Sequence, residues 1–358
     1  MNPFASERKG IDGILDTVHR PGILFPGADA VSQYLRVRVV MKYFITGGAG
    51  FIGSNLCDRL LANGNSVVVY DNLSTGRLDF LSDAAKNPAF TSIQGDVLNS
   101  DVLKRSISGC DFVFHLSANA DVRYGLLHPD KDIQQNTIGT FNVLEAMRAN
   151  SINSIVFSSS GSVYGDAAVF PTPEQAPFPV QTSLYGASKL AGEGLITSYC
   201  EGYGFKAWIF RFVSILGERY SHGHVFDFYA QLLKDPDKLH ILGDGHQKKS
   251  YLYVQDCISA MLAAINAAGA PLKILNLGTE EYCEVIDSAK WICAELNLTP
   301  RITFSGGTKG WTGDSPLILL DISRIKGLGW SPKYKIKESV IRTIQYLKNN
   351  QWLFKEKS

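Results

Sequence analysis

Residues 39–72, VVMKYFITGGAGFIGSNLCDRLLANGNSVVVYDN, decide the fold. Tyr43, Phe44 and Ile45 open an apolar strand, a glycine-rich turn follows, the periodicity from Phe51 to Ala62 predicts a helix, and VVVYD returns as a second strand. Gly47, Gly50 and Gly53 form a G-x-x-G-x-x-G pattern across the turn. Glycine permits a tight turn, close approach of backbone to a pyrophosphate and close seating of the helix on the sheet, and the unpaired N–H groups of a helix start bind the anion. Three spaced glycines say little alone; with a strand on either side they predict the first unit of a dinucleotide-binding fold. Asp71 ends the second strand, where a carboxylate can accept hydrogen bonds from the adenosine ribose; its other reading is a strand-end turn. No basic residue immediately follows Asp71, which predicts NAD rather than NADP, and Arg77 is the residue that argues the other way.

Strands and helices keep alternating beyond this unit. AFTSIQGDV predicts a short strand ending at Asp96 and Val97, beside the adenine. CDFVFHLSANA predicts a buried strand followed by Leu116, Ser117 and Ala118, where a cofactor can approach the backbone, and places His115 inside the strand as a structural histidine. A helix is expected from about Asp130 to Asn150, with Ile133, Thr137, Phe141, Leu144 and Met147 as its apolar stripe; Asn136 on it faces the cofactor or serves packing and capping. SIVFSSSGSVYGD is a strand ending in three serines, whose hydroxyls suit a site above the sheet. After a proline-rich fixed loop at Phe170 to Thr182, SLYGASKLAGEGL begins a helix with Tyr185 and Lys189 four residues apart on one face. A phenol with a free pKa of about 10 is a poor base near neutrality, and a cation that favours the phenolate makes it useful. The same spacing also occurs in ordinary surface contacts, so the preceding units carry the argument.

The chain of 358 residues and 39.3 kDa is long enough for two domains, or for one with a sizeable insertion. Thirty-five basic and 34 acidic side chains leave a charge of +1, which gives no global reason to expect nucleic acid or an anionic membrane as partner. The six cysteines form no paired short-spacing motif and no apolar run reaches the roughly 20 residues of a membrane span, so the expectation is a reduced, cytoplasmic protein. Residues 1–40 fit neither a secretory signal nor a transit segment and read as an appendage, as a start assigned too early or as a structured cap; Met41 opens the first patterned element. KAWIFRFVSILG, from Lys206, predicts another buried strand whose exit at Ser214 to Gly217 begins the substrate region. His222 and His224 have an H-x-H spacing, but nothing completes a ligand set, so they read as loop or recognition residues and no metal is expected. Lys248 and Lys249 meet phosphate or face solvent, GGTKGWTGDSP from Gly306 is a polar loop, and SPKYKIKESVIRTIQYL from Ser331 is a closing helix.

Together, ITGGAGFIG, VVYDN, GDV, HLSA, FSSSGSVYGD and YGASK resemble the extended short-chain dehydrogenase/reductase family, in particular its NAD-dependent nucleotide-sugar epimerase branch, over about residues 41–347. The resemblance implies an α/β protein: a Rossmann-type doubly wound parallel sheet with a smaller C-terminal α/β substrate domain. Residues 1–40 would then be an extension, 41–212 predominantly the NAD domain, 213–347 predominantly the nucleotide-sugar domain with some segments returning to the first, and 348–358 a tail. It implies a homodimer packed through two helices of each subunit.

By family pattern Ser160 is the active-site serine, Tyr185 the acid/base, and Lys189 the residue that binds the nicotinamide ribose and favours tyrosinate. Ser162 resembles a second hydroxyl near the sugar. Gly47, Gly50, Phe51, Ile52 and Gly53 would line the pyrophosphate, while Asp71, Asn72, Asp96, Val97, Leu116, Ala118 and Asn136 resemble further cofactor contacts. Dehydratases of the family place Asp and Glu after the active-site hydroxyl; here Gly161 and Ser162 stand there, which favours epimerization. On the substrate side Ser214 replaces a common asparagine, Lys249 stands where relatives carry arginine and so lacks the planar fork, and Trp311 lies near another arginine position. The implied reaction is inversion at C4 of a UDP-hexose or UDP-hexuronate through a transient 4-keto sugar. The alternatives are a nucleotide-sugar 4,6-dehydratase or reductase with the same site, and a noncatalytic NAD-responsive sensor or scaffold.

Overall fold

The computed structural model describes residues 40–119, 122–177 and 180–355. Its alternating apolar segments become seven strands of one parallel sheet: β1 (Lys42–Thr46), β2 (Ser66–Asp71), β3 (Phe90–Gln94), β4 (Phe112–His115), β5 (Ser154–Ser160), β6 (Lys206–Phe212) and the strand Leu272–Leu277. Their spatial order is β3-β2-β1-β4-β5-β6 and then Leu272–Leu277, with every neighbouring pair parallel. The chain leaves β1 toward β2 on one side and resumes with β4 on the other. That reversal opens a crevice at the carboxyl ends of β1 and β4, where doubly wound sheets take their ligands.

The strands read as near-continuous apolar runs because both faces are covered. Ile45, Val69, Phe114 and Val156 pack with Leu56 and Leu60 of helix α1 (Phe51–Ala62) on one face. Phe44, Val68, Tyr70, Val113 and Phe157 pack with Val143, Leu144 and Met147 on the other, as the period of a strand requires.

Two elements differ from their expected form. β3 stops at Gln94, two residues before Asp96, because Gly95 turns against the Tyr70 ring, where a Cβ would meet ring carbons at 2.5 Å. The single helix expected near Asp130–Asn150 is Pro129–Asp132, a wide π-type turn at Ile133–Ile138, and α2 (Gly139–Ala149). The wide turn inserts a residue and shifts the facing register. Asn136 is thereby fully buried, while Ile133 and Phe141 of the expected stripe are 56% and 43% exposed and Leu144 and Met147 remain in the core.

Beyond β6 the chain builds three small sheets, Ser214–Leu216 with Tyr251–Tyr253, Lys238–Ile241 with Arg301–Phe304, and Lys248–Lys249 between Cys283–Glu284 and Leu317–Ile318. The closing helix is Ile336–Asn349, whose Ile336, Val340, Ile344 and Leu347 are buried. A short turn, Gln351–Phe354, follows it and sets Trp352 against Phe80 with ring centroids 5.9 Å apart. The extension expected at residues 1–40 lies, apart from Val40, outside the described residues. Among the described residues no helix is long and apolar enough to cross a membrane.

Candidate active site

Gly47 turns the chain out of β1 with φ +69°, its N–H donating to Tyr70 O at 2.9 Å. α1 begins directly above: a Cβ on Gly53 would lie 2.3 Å from Gly47 O, and no side chain caps the helix at Gly50. Phe51 and Ile52 form its first turn, Phe51 edge-on to Tyr220 at 5.6 Å. The chain leaving β4 passes against this turn, since a Cβ on Gly47 would meet Ser117 N at 2.7 Å; Leu116 N donates to Thr46 O there, and Ala118 follows.

The Asp71 carboxylate accepts from Ala49 N at 2.9 Å and from Leu73 N at 2.8 Å, so it joins the end of β2 to the glycine turn. Asn72 donates to the Asp96 carboxylate at 2.9 Å, and Val97, buried beside them, accepts from Asn142 through its carbonyl at 3.0 Å. An open helix start, a turn that admits no Cβ and a carboxylate at the end of β2 fit the pyrophosphate and ribose of a dinucleotide. Arg77 does not reach toward them as a phosphate partner. Its guanidinium donates to Leu353 O at 3.2 Å and lies 5.5 Å from the Trp352 ring centroid.

Helix α3 (Leu184–Tyr203) is capped by Ser183, whose hydroxyl accepts from Gly186 N at 3.0 Å, and it runs along β5. Tyr185, Lys189 and Glu193 recur every four residues on its inner face and engage the three serines that end β5. The Ser160 side chain stands close enough to the Tyr185 phenol to favour its ionised form, Lys189 Nζ donates to Ser158 O at 2.8 Å, and Ser159 Oγ donates to Glu193 Oε1 at 2.5 Å. Ser162 N and the Ser160 hydroxyl lie 3.1 Å apart, and the two serine hydroxyls 3.2 Å apart, in the turn Gly161–Tyr164. Burial pushes the Tyr185 phenol up to about 12, with the neighbouring Ser160 side chain opposing and the Asp132 carboxylate adding to the shift. Burial brings Lys189 down to about 7 against the pull of the Asp132 and Glu193 carboxylates. Lys189 Nζ is 6.0 Å from the Tyr185 ring centroid.

His115 is structural, as its strand position predicts: Nδ1 bonds Thr46 Oγ1 at 2.7 Å, Nε2 bonds Thr140 Oγ1 at 3.0 Å, and burial holds the ring down to about 3, neutral. Asn136 lies beneath the site, its amide donating to Ser188 Oγ at 2.9 Å and accepting from Asn119 N at 2.8 Å. It ties the wide turn to α3 at the residue before Lys189. Farther out, Ser214 is exposed at the start of its short strand. Lys249 is buried instead of extended into solvent; Nζ donates to Asp314 Oδ1 at 2.6 Å and to Ser315 O, with the Trp311 ring centroid 5.9 Å away. His224 is half-buried with Nε2 against Ser288 Oγ at 2.8 Å, and among the described residues no group of three or more His, Cys, Asp or Glu is arranged to hold a metal.

Glu193 and Arg211 escaped the sequence reading. Arg211 donates to both Glu193 carboxylate oxygens, at 2.9 and 2.7 Å. The signals are a carboxylate continuing the Tyr185 and Lys189 spacing, and an arginine within the apolar run AWIFRF that follows Lys206.

Residues 43–278 match the model of the NAD dependent epimerase/dehydratase family. The chain is 30% identical to the UDP-glucose 4-epimerase of Mycolicibacterium smegmatis over 315 residues, 86% of this chain and 99% of that one. Among solved structures it is similar to a UDP-galactose 4-epimerase, with 37% identity and a TM-score of 0.79 over 87% of this chain and all of that one. It is also similar to the UDP-glucuronic acid 4-epimerase of Bacillus cereus, solved with UDP-glucuronic acid and NAD, with 27% identity and a TM-score of 0.80 over 86% of this chain and 99% of that one.

Proposed function

The chain belongs to the NAD-dependent epimerase/dehydratase family, and on that premise we propose that it is a nucleotide-sugar 4-epimerase acting on a UDP-hexose or UDP-hexuronate. The observation that carries the reading is the placing of Tyr185 and Lys189 on one face of α3 against the serines that end β5, with Ser160 beside the phenol and Lys189 Nζ on Ser158 O, at the carboxyl end of the strand where the crevice opens. The sugars of the similar 4-epimerases supply the substrate class. Gly161 and Ser162 supply no carboxylic acid after the active-site hydroxyl, which speaks against expulsion of a hydroxyl group and hence against the dehydratase reading.

Gly47, Gly50, Phe51, Ile52 and Gly53 hold the pyrophosphate, Asp71 the adenosine ribose, Asn72, Asp96 and Val97 the adenine side, and Leu116 and Ala118 the chain between; Asn136 supports the nicotinamide end through Ser188. NAD bound there supplies an acceptor and then a donor of hydride at the sugar C4. The phenolate oxygen of Tyr185 takes the C4 hydroxyl proton, Ser160 holds the reacting oxygen, and Lys189 stabilises the phenolate. After the 4-keto sugar has turned its other face, Tyr185 returns the proton to the C4 oxygen. Ser162 meets the sugar, and Ser214 and Lys249 the diphosphate end, Lys249 after exchanging its bond to Asp314. Incubation with UDP-, GDP-, CDP- and dTDP-sugars, followed by separation of epimers, is expected to show conversion of a UDP-sugar with unchanged mass. Loss of water from the product would favour the dehydratase instead, and no conversion by NAD-loaded protein would favour a sensor.

The same reading makes the protein a cytoplasmic homodimer. All six cysteines are free, as in a reducing compartment, and Ile133, Ile138, Phe141 and Leu184 expose apolar surface at the wide turn, α2 and the start of α3. Phe141→Glu is expected to convert a dimer into a monomer in sedimentation; a wild-type chain that sediments as a monomer refutes this assembly.

A further inference from the structure

We propose that Arg211, through Glu193 and Ser159, is a positioning residue that sets the register of the Tyr185 helix against the serine strand. The inference rests on the epimerase reading and extends it to a group that touches no substrate. Arg211 is 1% exposed. Besides Glu193 on α3, its guanidinium donates to the Tyr164 hydroxyl at 2.7 Å, at the end of the turn that carries Ser162, and to Glu174 O at 3.0 Å. Ser159 and Arg211 are register partners across β5 and β6, so their side chains share a face, and both end on the Glu193 carboxylate.

One fork therefore references the tyrosine helix, the serine strand and the Gly161–Tyr164 turn to one another. The Tyr164 hydroxyl passes the constraint on to Asn276 Oδ1 at 2.9 Å, and the Asn276 amide donates to Thr172 O at 2.9 Å and Asp321 O at 3.0 Å. In a buried ion pair desolvation offsets much of the attraction, and fixing register is the best-attested use of such a pair. A planar bidentate fork fixes geometry that a lysine ammonium cannot. The Tyr185 and Ser160 oxygens have to meet one sugar hydroxyl, and a displacement of about 1 Å costs on the order of 10²-fold in rate.

The test compares Ser159→Ala and Arg211→Lys with wild type, by steady-state kinetics on the UDP-sugar the wild type converts, by titration with NAD, and by amide exchange in Leu184–Lys189. Ser159→Ala is expected to lower kcat about tenfold and Arg211→Lys on the order of 10²-fold, with KM and the NAD affinity within about twofold of wild type and faster exchange at the start of α3. A kcat within about twofold of wild type in folded Ser159→Ala overturns the inference, as does a loss that appears equally in KM and NAD affinity. If Arg211→Lys does not fold, Ser159→Ala, which deletes one hydroxyl, decides alone. If the wild type converts no sugar, the epimerase reading falls and amide exchange still decides the register: unchanged protection in Ser159→Ala overturns it.

Discussion

Tyr185→Phe is expected to lower turnover of the UDP-sugar by about 10²–10⁴-fold, the range that a positioned acid/base contributes, while NAD and nucleotide-sugar affinities stay near those of wild type. The expectation follows from where the hydroxyl sits. The ring is partly buried at the start of α3 with its phenol beside Ser160, and removing one oxygen leaves the helix cap at Ser183 and the Lys189 bond to Ser158 O in place. The glycine turn, Asp71 and Asp96 belong to β1, β2 and the loop after β3, and none of them bonds Tyr185. Turnover should therefore fall without a matching fall in binding. Near-normal turnover would remove Tyr185 from its assigned role, and a loss confined to KM would make it a binding residue. Ser160 survives the substitution as an orienting hydroxyl, so residual activity above the uncatalysed level is also expected.

What could be read from the sequence follows the range of the interactions involved. The first βαβ unit is written in neighbours: the apolar run of β1, the glycines of the turn and the periodicity of α1 each specify their own conformation, and the helix lies at Phe51–Ala62 as predicted. Tyr185 and Lys189 are legible in the same way, because a helix puts residues four apart on one face. The wide turn at Ile133–Ile138 is not, since the apolar stripe reads as an uninterrupted helix and only the buried bonds of Asn136 to Asn119 and Ser188 show why the register shifts. The sequence leaves Lys249 to meet phosphate or solvent because its partner, Asp314, lies 65 residues away in a loop with no strand or helix pattern. Arg211 failed for the opposite reason. A charge in an apolar strand is visible, but the carboxylate that makes it tolerable stands on α3, and only the packing of that helix along β5 and β6 brings the two together.

Lys189→Met is expected to abolish most activity near neutrality and to return part of it as the pH rises. Lys189 Nζ lies 6.0 Å from the Tyr185 ring centroid, near enough for its charge to favour the phenolate. With Lys189 brought down to about 7 and Tyr185 up to about 12, the first proton leaves near neutrality. The proton that remains is divided between phenol with neutral amine and phenolate with ammonium. The second arrangement is the working base, so wild-type kcat should climb through an acid limb near pH 7 and then level. Without the amine no cation stands beside the phenol, which burial already holds up to about 12, so kcat at pH 7.5 should fall by on the order of 10²-fold or more and recover in part as rising pH ionises the phenol. Stability carries the opposite signature of the same group. The folded-state pKa of Lys189 lies below its ordinary 10.5, so between about 7 and 10.5 the unfolded chain binds the extra proton and wild-type stability gains on the variant as pH rises. A variant whose kcat deficit is the same at pH 7 and pH 10 would show that Lys189 only holds the ribose, leaving the charge of the phenolate to another group.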